Sequence, residues 1–379
     1  MNKESAYWIA LAHMPRWGYL KINNLIINFY HEKKITIEDF FNLSESDWKN
    51  QFGLESKEIE DLKKAKSELA GTAFLAESLL NEGYELIPIT SSEYSKTLKN
   101  NLKAAHAPAL LYIKGNKHIM QEKSIAVVGS RNASETSLKF TDNIAKLASK
   151  EYKVIVSGFA KGIDKQALDS AIKYKGQSII ILPQGIMTFG SGFKTYYKQI
   201  VNGDVLVLSV FFPKAPWKAE LAMARNPVIY GLASEIYVAE SSEKGGTWSG
   251  VIDGLRKKRI IFVRKPDQIE KNANNLLIQK GAIAVDFNGN PIKEYHLPKT
   301  TNAILNDPII TIEKKILELL NHREYTIKDI IKKLQLPWSV NRVRKFLNSS
   351  NEVEVIKSRT HKFTLKTTLQ KQMTLFDQN

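Results

Sequence analysis

Glycines follow four apolar segments of this chain, and basic residues stand near most of them. The turns are Gly129-Ser130-Arg131, Ser157-Gly158 with Lys161-Gly162, Gln184-Gly185, and Lys244-Gly245-Gly246-Thr247. Glycine lets the backbone approach a ligand closely, and free N–H groups at the start of a helix attract phosphate. Arg131, Lys161 and Arg225 would add positive charge to the same rim. The pattern therefore predicts a phosphate-binding surface.

The candidate binding residues come from these turns and from a basic segment further along the chain. They are Gly129, Ser130, Arg131, Ser157, Gly158, Phe159, Lys161, Gly162, Lys218, Arg225, Asn226, Gly245, Gly246 and Thr247. Two acids lie nearby. Asp164 could equally be a cap of the following helix, and Glu240 is expected to brace the glycine-rich turn by accepting from backbone N–H groups. Any single turn also fits a plain strand-to-helix connection.

Several common chemistries are excluded or disfavoured by what the chain lacks. It has no cysteine, which excludes disulfides, Cys-based zinc sites and thiol catalysis. It has neither G-x-G-x-x-G nor G-x-x-x-x-G-K-[ST], so a dinucleotide site and a P-loop are disfavoured. Its seven histidines show no metal-ligand spacing. We predict no catalytic residues, no metal and no cofactor.

The charge of the chain indicates its class of partner. The 379 residues carry a formal net charge of +16, which favours polyanions, with nucleic acid first and an anionic membrane second. A generally basic proteome is the alternative explanation. There is no apolar run of membrane-spanning length and no signal peptide pattern, so we expect a cytoplasmic protein.

The elements that would position the turns form an α/β pattern. Residues 1–70 indicate a small helical domain, SAM-like or helix-hairpin-helix-like, with Ser44 or Ser46 capping a helix that ends near Gly53. Residues 71–290 alternate apolar strands with helices, which predicts a Rossmann-like parallel sheet covered on both faces. The eight strand candidates are ELIPI, ALLYIKG, SIAVVGS, KVIVSG, SIIILP, VLVLSV, IYVAE and IIFVRK.

The C-terminal part of the sequence predicts a linker, a second domain and a tail. Residues 291–308 hold three prolines and form the linker. Residues 309–366 give three helices and a strand pair, the order of a winged helix, and residues 367–379 are expected to be a flexible tail. Helix-turn-helix geometry would present the third helix to DNA. The predicted DNA contacts are Arg342, Arg344 and Lys345, with the wing residues Lys357, Arg359 and Lys362.

Taken in order, the motifs resemble those of the DNA-processing protein A (DprA/Smf) family. The segments are "AVVGSR.AS", "VIVSGFAKGID", SIIILP before Gln184-Gly185, "ARN..IYGLAS" and "VAE…GGTWS". The resemblance covers most of the chain, including the helical N-terminus and the winged-helix tail. It implies a non-catalytic protein that binds single-stranded DNA, forms a homodimer and loads the recombinase RecA during natural transformation. Arg131 would then be the counter-charge to a phosphate of the strand.

Three positions depart from the family pattern. The family histidine after GID falls on Leu168, the acid of "SE.p" on Val210, and the second arginine of "RNR" on Pro227. A divergent role in mobile-element biology or phage defence therefore stays open. The alternative function is a nucleotide-ligand sensor or a phosphoribohydrolase-like protein on the same Rossmann variant. The last turn lacks the proline and the trailing glutamate that the hydrolases carry.

Aromatic residues and the C-terminus add two further hypotheses. Phe159, Trp217 and Trp248 are candidates for stacking on bases, with core packing as the alternative. The final residues QMTLFDQN resemble a short peptide that docks on the replication sliding clamp, with Leu375 and Phe376 as apolar anchors and Gln372 as the amide. Alternatively, Leu375 and Phe376 fold back onto the winged helix.

Overall fold

The computed structural model describes residues 4–267, 270–293, 308–321, 324–336, 338–350, 352–356 and 362–365. The chain divides into two compact units, Met1–His296 and Leu297–Asn379. The N-terminal helices share one hydrophobic core with the sheet, from Trp8 and Phe40 to Leu208 and Val263. The separate helical domain expected at residues 1–70 stays a prediction.

In the described residues a π-helix, Ile27–Glu32, and six short α-helices precede the sheet, and the periodicity predicts the α-helices. They are α1 (Ser5–Ala12), α2 (Tyr19–Ile26), α3 (Ile37–Asn42), α4 (Glu45–Phe52), α5 (Ser56–Ser67) and α6 (Leu69–Asn81). Ser44 caps α4 and forms a capping box with Asp47, and Gly53 ends the helix at φ +64°. Of the two predicted candidates, Ser44 and not Ser46 is the N-cap.

Nine strands of the described residues form one sheet, in the order β1-β2-β6-β5-β4-β3-β7-β8-β9. β1 and β2 are antiparallel to each other, β2 is antiparallel to β6, and the remaining pairs are parallel. The strands are β1 (Glu85–Pro88), β2 (Leu110–Lys114), β3 (Ser124–Gly129), β4 (Val154–Ser157), β5 (Ser178–Ile181), β6 (Val205–Ser209), β7 (Glu235–Glu240), β8 (Ile261–Arg264) and β9 (Ile283–Val285). All eight predicted strands form, and the Rossmann-like fold class is confirmed.

The helices that connect these strands cover the sheet, which explains why the central strands are apolar throughout. In chain order they are α7 (Lys96–His106), α8 (Glu135–Lys150), α9 (Ile163–Lys173), α10 (Gly190–Thr195), α11 (Tyr197–Val201), α12 (Ala219–Ala224), α13 (Asn226–Leu232), α14 (Gly246–Arg256) and α15 (Asn274–Gln279). Within the described ranges, no helix combines the length and the apolar character needed to cross a membrane.

The strand order reverses between β3 and β7. The chain passes outward from β3 through β4 and β5 to β6, then returns to lay β7 on the other side of β3. In open α/β sheets, ligands bind at this switch point, outside the carboxyl ends of the strands. The turns after β3, β4 and β7 are therefore placed where a ligand is expected.

The second unit has the element order predicted for a winged helix, with one additional short strand. It contains α16 (Pro308–Leu320), β10 (Tyr325–Thr326), α17 (Ile327–Leu334), α18 (Val340–Ser349), β11 (Val353–Ile356) and β12 (Lys362–Leu365). The strands form an antiparallel sheet in the order β10-β12-β11. Ile316, Leu320, Ile330, Val343 and Leu347 form a core of their own.

Some predictions fall outside the described residues. These include most of the linker, the wing residues Lys357 and Arg359, and the tail with Gln372, Leu375 and Phe376. The described wing residue Lys362 pairs with Glu324 at 3.4 Å.

Candidate nucleic-acid interface

The turn after β3 is held tightly between its neighbours. A Cβ on Gly129 would lie 2.6 Å from Ile163 Cγ1 and 3.0 Å from the carbonyl oxygen of Glu240. The Ser130 N–H donates to that same Glu240 carbonyl at 2.9 Å. Only glycine fits at position 129, because the chain passes between α9 and β7 there.

The turn after β4 is tied to the first turn. Gly162 has φ +86°, and a Cβ on it would lie 2.4 Å from the Ser130 carbonyl oxygen. The Ile163 N–H donates to the Ser130 carbonyl at 3.3 Å. Phe159 also adopts a left-handed conformation, φ +59°, a strained geometry for an aromatic residue that packing must maintain.

The turn after β7 completes the group. Gly245 has φ +99°, and α14 begins directly after it with no side-chain cap. The Thr247 hydroxyl donates to the Gly129 carbonyl at 3.1 Å. The first N–H groups of α14 are thus left for water or a ligand, as in anion sites at helix N-termini.

These three connections and the α12–α13 segment enclose one cavity of about 410 Å³, called here the switch-point cavity. It brings together eight of the predicted residues: Gly129, Ser130, Arg131, Arg225, Asn226, Gly245, Gly246 and Thr247. An adjoining hollow, also of about 410 Å³, is lined by Arg131, Lys161 and Gly162 among others. Arg131 therefore stands between two concave surfaces.

Arg225 lies beneath the cavity rather than on its rim. It is only 4% exposed. Its guanidinium donates to the carbonyls of Gly158 and Ile181, the latter at 2.6 Å. A Cβ on Gly158 would overlap this guanidinium at 2.2 Å from Nη2. Position 158 must therefore be glycine, because the Arg225 guanidinium occupies the space that a Cβ would need. The guanidinium is already hydrogen-bonded to protein carbonyls.

Asp164 is a structural residue of the second turn. Its carboxylate accepts from the backbone N–H groups of Gly158 and Ala160 and lies 3.7 Å from Arg225. Burial raises the pKa of Asp164, and Arg225 opposes that rise. Burial likewise lowers the pKa of Arg225, with Asp164 acting in the opposite direction. The pair holds the cavity floor together.

Glu240 braces a different element from the one predicted. Its carboxylate accepts from the Ser134 N–H at 2.9 Å, from the Ser134 hydroxyl at 2.7 Å and from the Ser137 hydroxyl at 2.8 Å. These groups begin α8, so Glu240 fixes the helix that follows the Arg131 turn. It does not hold the glycine-rich turn after β7 through those bonds.

Four predicted residues lie away from both hollows. Ser157 is buried and donates to the Asp164 carbonyl at 3.1 Å, and Gly158 is covered by Arg225. Phe159 is half-buried, with its ring 5.1 Å from that of Phe189. Lys218 is exposed at the N-cap of α12 and does not line the cavity.

The turn at Gly185 supports protein rather than a ligand. Its N–H donates to the Ala215 carbonyl at 2.9 Å, and a Cβ there would lie 2.2 Å from the Pro213 carbonyl oxygen. Of the three departures from the family motifs, Leu168 and Val210 are buried in the core. Pro227 lies at the start of α13, where a missing N–H costs nothing.

The cavity also contains residues that the site prediction missed. Lys244 is exposed beside the uncapped start of α14, and Met223 and Tyr230 also line the cavity. The Tyr230 hydroxyl is buried and has no hydrogen-bond partner among the described residues. Lys244 stands in the quoted turn and could have been chosen on charge alone. Tyr230 shows no sequence signal that separates it from core.

In the part of the chain that the structure describes, no three His, Asp or Glu side chains are grouped so as to hold a metal ion.

In the second unit, the predicted DNA contacts share one helix. Arg342, Arg344 and Lys345 are exposed on α18, and the Arg342 guanidinium lies 4.5 Å from the centre of the Trp338 ring. Val343 and Leu347 turn inward. The outer face of α18 is therefore basic.

A mainly parallel sheet with a glycine-lined cavity at its switch point is the arrangement of a Rossmann-like protein, a class that binds its ligands at this place. Residues 85–295 match the family described as DNA recombination-mediator protein A. The chain belongs to that family of recombination mediators, and the resemblance drawn from the motifs is confirmed.

Individual relatives support the same assignment. The chain is 31% identical over 192 residues to DNA processing protein DprA of Streptococcus pneumoniae, spanning 50% of this chain and 67% of that protein. It is 28% identical over 208 residues to DprA of Bacillus subtilis, spanning 54% and 69%. The X-ray structure of the S. pneumoniae protein matches with a TM-score of 0.62 at 23% identity, over 75% of this chain and 95% of that one. At this identity the structural match establishes the fold.

Proposed function

We propose that this chain binds single-stranded DNA through phosphates held at the switch-point cavity. The observation that carries the proposal is the meeting of three turns, the uncapped start of α14 and the exposed cations Arg131 and Lys244 around one cavity. N–H groups and cations together favour phosphate, and neither reads a base edge. We therefore expect an affinity that depends steeply on salt concentration and little on the DNA sequence.

The two hollows on either side of Arg131 favour a strand over a free nucleotide. Lys161 and Gly162 lie in one hollow, Lys244 and Gly246 lie in the other, and Arg131 borders both. A flexible strand can place successive phosphates along such a row. A mononucleotide would occupy one hollow and leave the other cations unused.

We further propose that the protein acts as a mediator and not as an enzyme. The acid nearest the cavity, Asp164, is engaged by Arg225 and by two backbone N–H groups, which leaves it poorly placed for acid–base work. Family membership supports handing the strand to RecA, as a homodimer in the cytoplasm. Leu168 and Val210 are core residues here, so we expect their departure from the family pattern to leave strand binding intact.

Two accessory contacts belong to the same proposal. The basic face of α18 would contact duplex DNA through Arg342, Arg344 and Lys345. The C-terminal residues Gln372, Leu375 and Phe376 would dock on the sliding clamp. A labelled peptide of residues 368–379 should bind purified clamp, and Leu375→Ala with Phe376→Ala should abolish that binding. An unchanged anisotropy at high micromolar clamp would refute the docking.

The main test is fluorescence anisotropy of a labelled oligo-dT strand titrated with the full chain, alongside a thermal-shift screen of free nucleotides. We expect oligo-dT to bind, to resist competition by duplex of the same length, and to dissociate with added salt. A thermal shift with nucleotides and none with oligo-dT would instead establish the nucleotide-sensor alternative. RecA filament formation on coated strands tests the mediator step.

A further inference from the structure

The loop that joins β6 to α12 carries an unusually exposed tryptophan. Trp217 is 54% exposed, whereas Trp8, Trp17, Trp48 and Trp338 are buried and Trp248 is half-buried against the core. A large apolar ring left in water is informative when its surroundings are ordered. The question is which partner covers it.

The backbone on which Trp217 stands is fixed from below. The N–H groups of Gly185 and Met187 donate to the carbonyls of Ala215 and Pro213 at 2.9 and 3.0 Å. Pro213 and Pro216 restrict the same loop, since proline fixes φ. The ring is therefore presented from a preorganised support, which lowers the entropic cost of binding.

The position of Trp217 relates it to the switch-point cavity. Lys218 is the N-cap of α12, and Ala219, Ala222 and Met223 of that helix line the cavity. Trp217 is two residues from the first of these, a separation of at most about 7 Å along the chain. Met223 is itself 47% exposed. An apolar strip thus leads from the cavity along α12 to the tryptophan.

The charges around the ring match a nucleic acid strand. Lys214 and Lys218 are exposed on either side of Trp217, and Glu220 is the one exposed acid among residues 214–220. Basic grooves with aromatic platforms are the usual means of binding single strands without sequence preference. A protein partner would also cover an aromatic ring, but it would not require lysines on both sides beside a phosphate cavity.

We propose that Trp217 is a stacking platform for a base of the strand whose phosphates occupy the switch-point cavity, with Lys214 and Lys218 neutralising the flanking phosphates. This inference rests on the proposed function and adds to it a residue that contributes through stacking. The ring accepts any base, so it raises affinity without specifying sequence.

The test compares Trp217→Ala with wild type in oligo-dT anisotropy titrations at several salt concentrations. We expect affinity to fall about tenfold, while the salt slope stays unchanged because no charge is removed. Trp217→Phe should recover part of the loss. Tyr197→Ala is the matched control. Tyr197 is also an exposed aromatic residue, at 67%, and is followed by Lys198, but it lies on α11 and does not line the switch-point cavity. It should bind as wild type does.

A strand with abasic sites separates stacking from any indirect effect. Wild type should lose affinity for the abasic strand by about the same factor, and Trp217→Ala should lose little more, because the two changes remove one interaction. If wild type binds oligo-dT and Trp217→Ala binds it equally well, the stacking inference is overturned while the proposed function stands. If wild type binds no strand at all, the proposed function fails first.

Discussion

Arg225 and Asp164 form a buried ion pair 3.7 Å apart under the switch-point cavity. The arginine also reaches the carbonyls of Gly158 and Ile181, and the aspartate reaches the N–H groups of Gly158 and Ala160. Both charges are thus engaged in holding the turn that follows β4. Arg131, by contrast, is exposed and lines both hollows, so its charge remains available to a ligand.

Arg225→Ala should therefore destabilise the protein. Removing one partner of a buried pair leaves an uncompensated charge and two unsatisfied carbonyls, with a cost of about 3–5 kcal/mol. Urea unfolding measures this loss. Arg131→Ala, at an exposed position, should change the free energy of unfolding by less than about 0.5 kcal/mol. If Arg225→Ala were as stable as wild type but bound DNA more weakly, Arg225 would be a phosphate contact, as the sequence predicted.

Arg131→Ala and Lys244→Ala should instead weaken strand binding without loss of stability. Each removes a cation that faces the cavity, so the slope of log affinity against log salt should fall by about 0.7 for each phosphate that is no longer neutralised. Salt titrations with oligo-dT measure that slope. Lys139→Ala is the charge-matched control, because Lys139 is exposed on α8 beside Glu135. An equal loss of affinity with Lys139→Ala would indicate a general effect of net charge.

The eight strands were predictable because short apolar runs alternate with helical segments, and the turns were predictable because glycines follow several of those runs. β9 was missed, since Ile283–Val285 is only three residues long and Ile283 is 40% exposed. The switch point between β3 and β7 follows from strand order, which local patterns do not contain. The sequence predicted that the turns share one surface, but the pairing of β3 with β7 that brings them together could not be read from it.

The roles of individual basic residues were less predictable. Arg131 and Arg225 both stand beside glycine turns or helix starts, yet one is exposed and the other is 4% exposed. Their difference depends on Gly158, whose missing Cβ makes room for the Arg225 guanidinium. That contact joins residues 67 positions apart, and no pattern within either segment specifies it. The exposure of Trp217 and the partial burial of Phe159 are likewise set by tertiary packing.

Two glycines allow backbone strain to be separated from steric overlap. Gly245 has φ +99° with no atom within 4 Å of a Cβ position, whereas Gly162 has φ +86° and a Cβ would lie 2.4 Å from the Ser130 carbonyl oxygen. Gly245→Ala should lose about 1–3 kcal/mol from conformation alone. Gly162→Ala should lose more and should weaken DNA binding further, because it displaces the Arg131 turn. If Gly245→Ala and Gly162→Ala lost the same free energy of unfolding in urea, the turn after β4 would not be coupled to the Arg131 turn after β3.

The second unit should fold on its own and bind duplex DNA. A fragment of residues 297–379 retains a core of its own around Ile316, Val343 and Leu347, so it should melt cooperatively by circular dichroism. Combined alanine substitution of Arg342, Arg344 and Lys345 should lower duplex affinity with little change in melting, because these side chains are exposed. Substitution of Lys328, Lys332 and Lys333 on α17 is the matched control for charge. Unchanged duplex affinity in the α18 variant would assign the unit to protein contacts.

His13 should make the stability of the first unit depend on pH. Its Nε2 lies 2.9 Å from the Tyr112 hydroxyl, its ring packs edge-on against Phe212, and burial lowers its pKa to about 4. In the unfolded chain the pKa is about 6.5. A depressed folded pKa means that the stabilisation is complete above pH 6.5 and is lost as the pH falls toward 4. The full pKa shift corresponds to a loss of about 3 kcal/mol in the free energy of unfolding. Because the ring is partly exposed to solvent, we expect a loss of about 2 kcal/mol.

Urea unfolding at pH 7 and at pH 4.5 tests this contribution. His13→Gln keeps a polar partner for Tyr112 but does not titrate, so it should lose less stability between the two pH values than wild type. His106→Gln, at an exposed position, should lose as much as wild type. If His13→Gln and wild type decline in parallel, the acid sensitivity comes from carboxylates such as Asp142 and Glu270.

Burial opposes the ionisation of Asp142 and Glu270, but hydrogen bonds from Tyr174 and Arg264 outweigh it and lower their pKa values. Those groups lose their stabilisation at lower pH, because their protonation begins only as the pH approaches the ordinary carboxyl pKa.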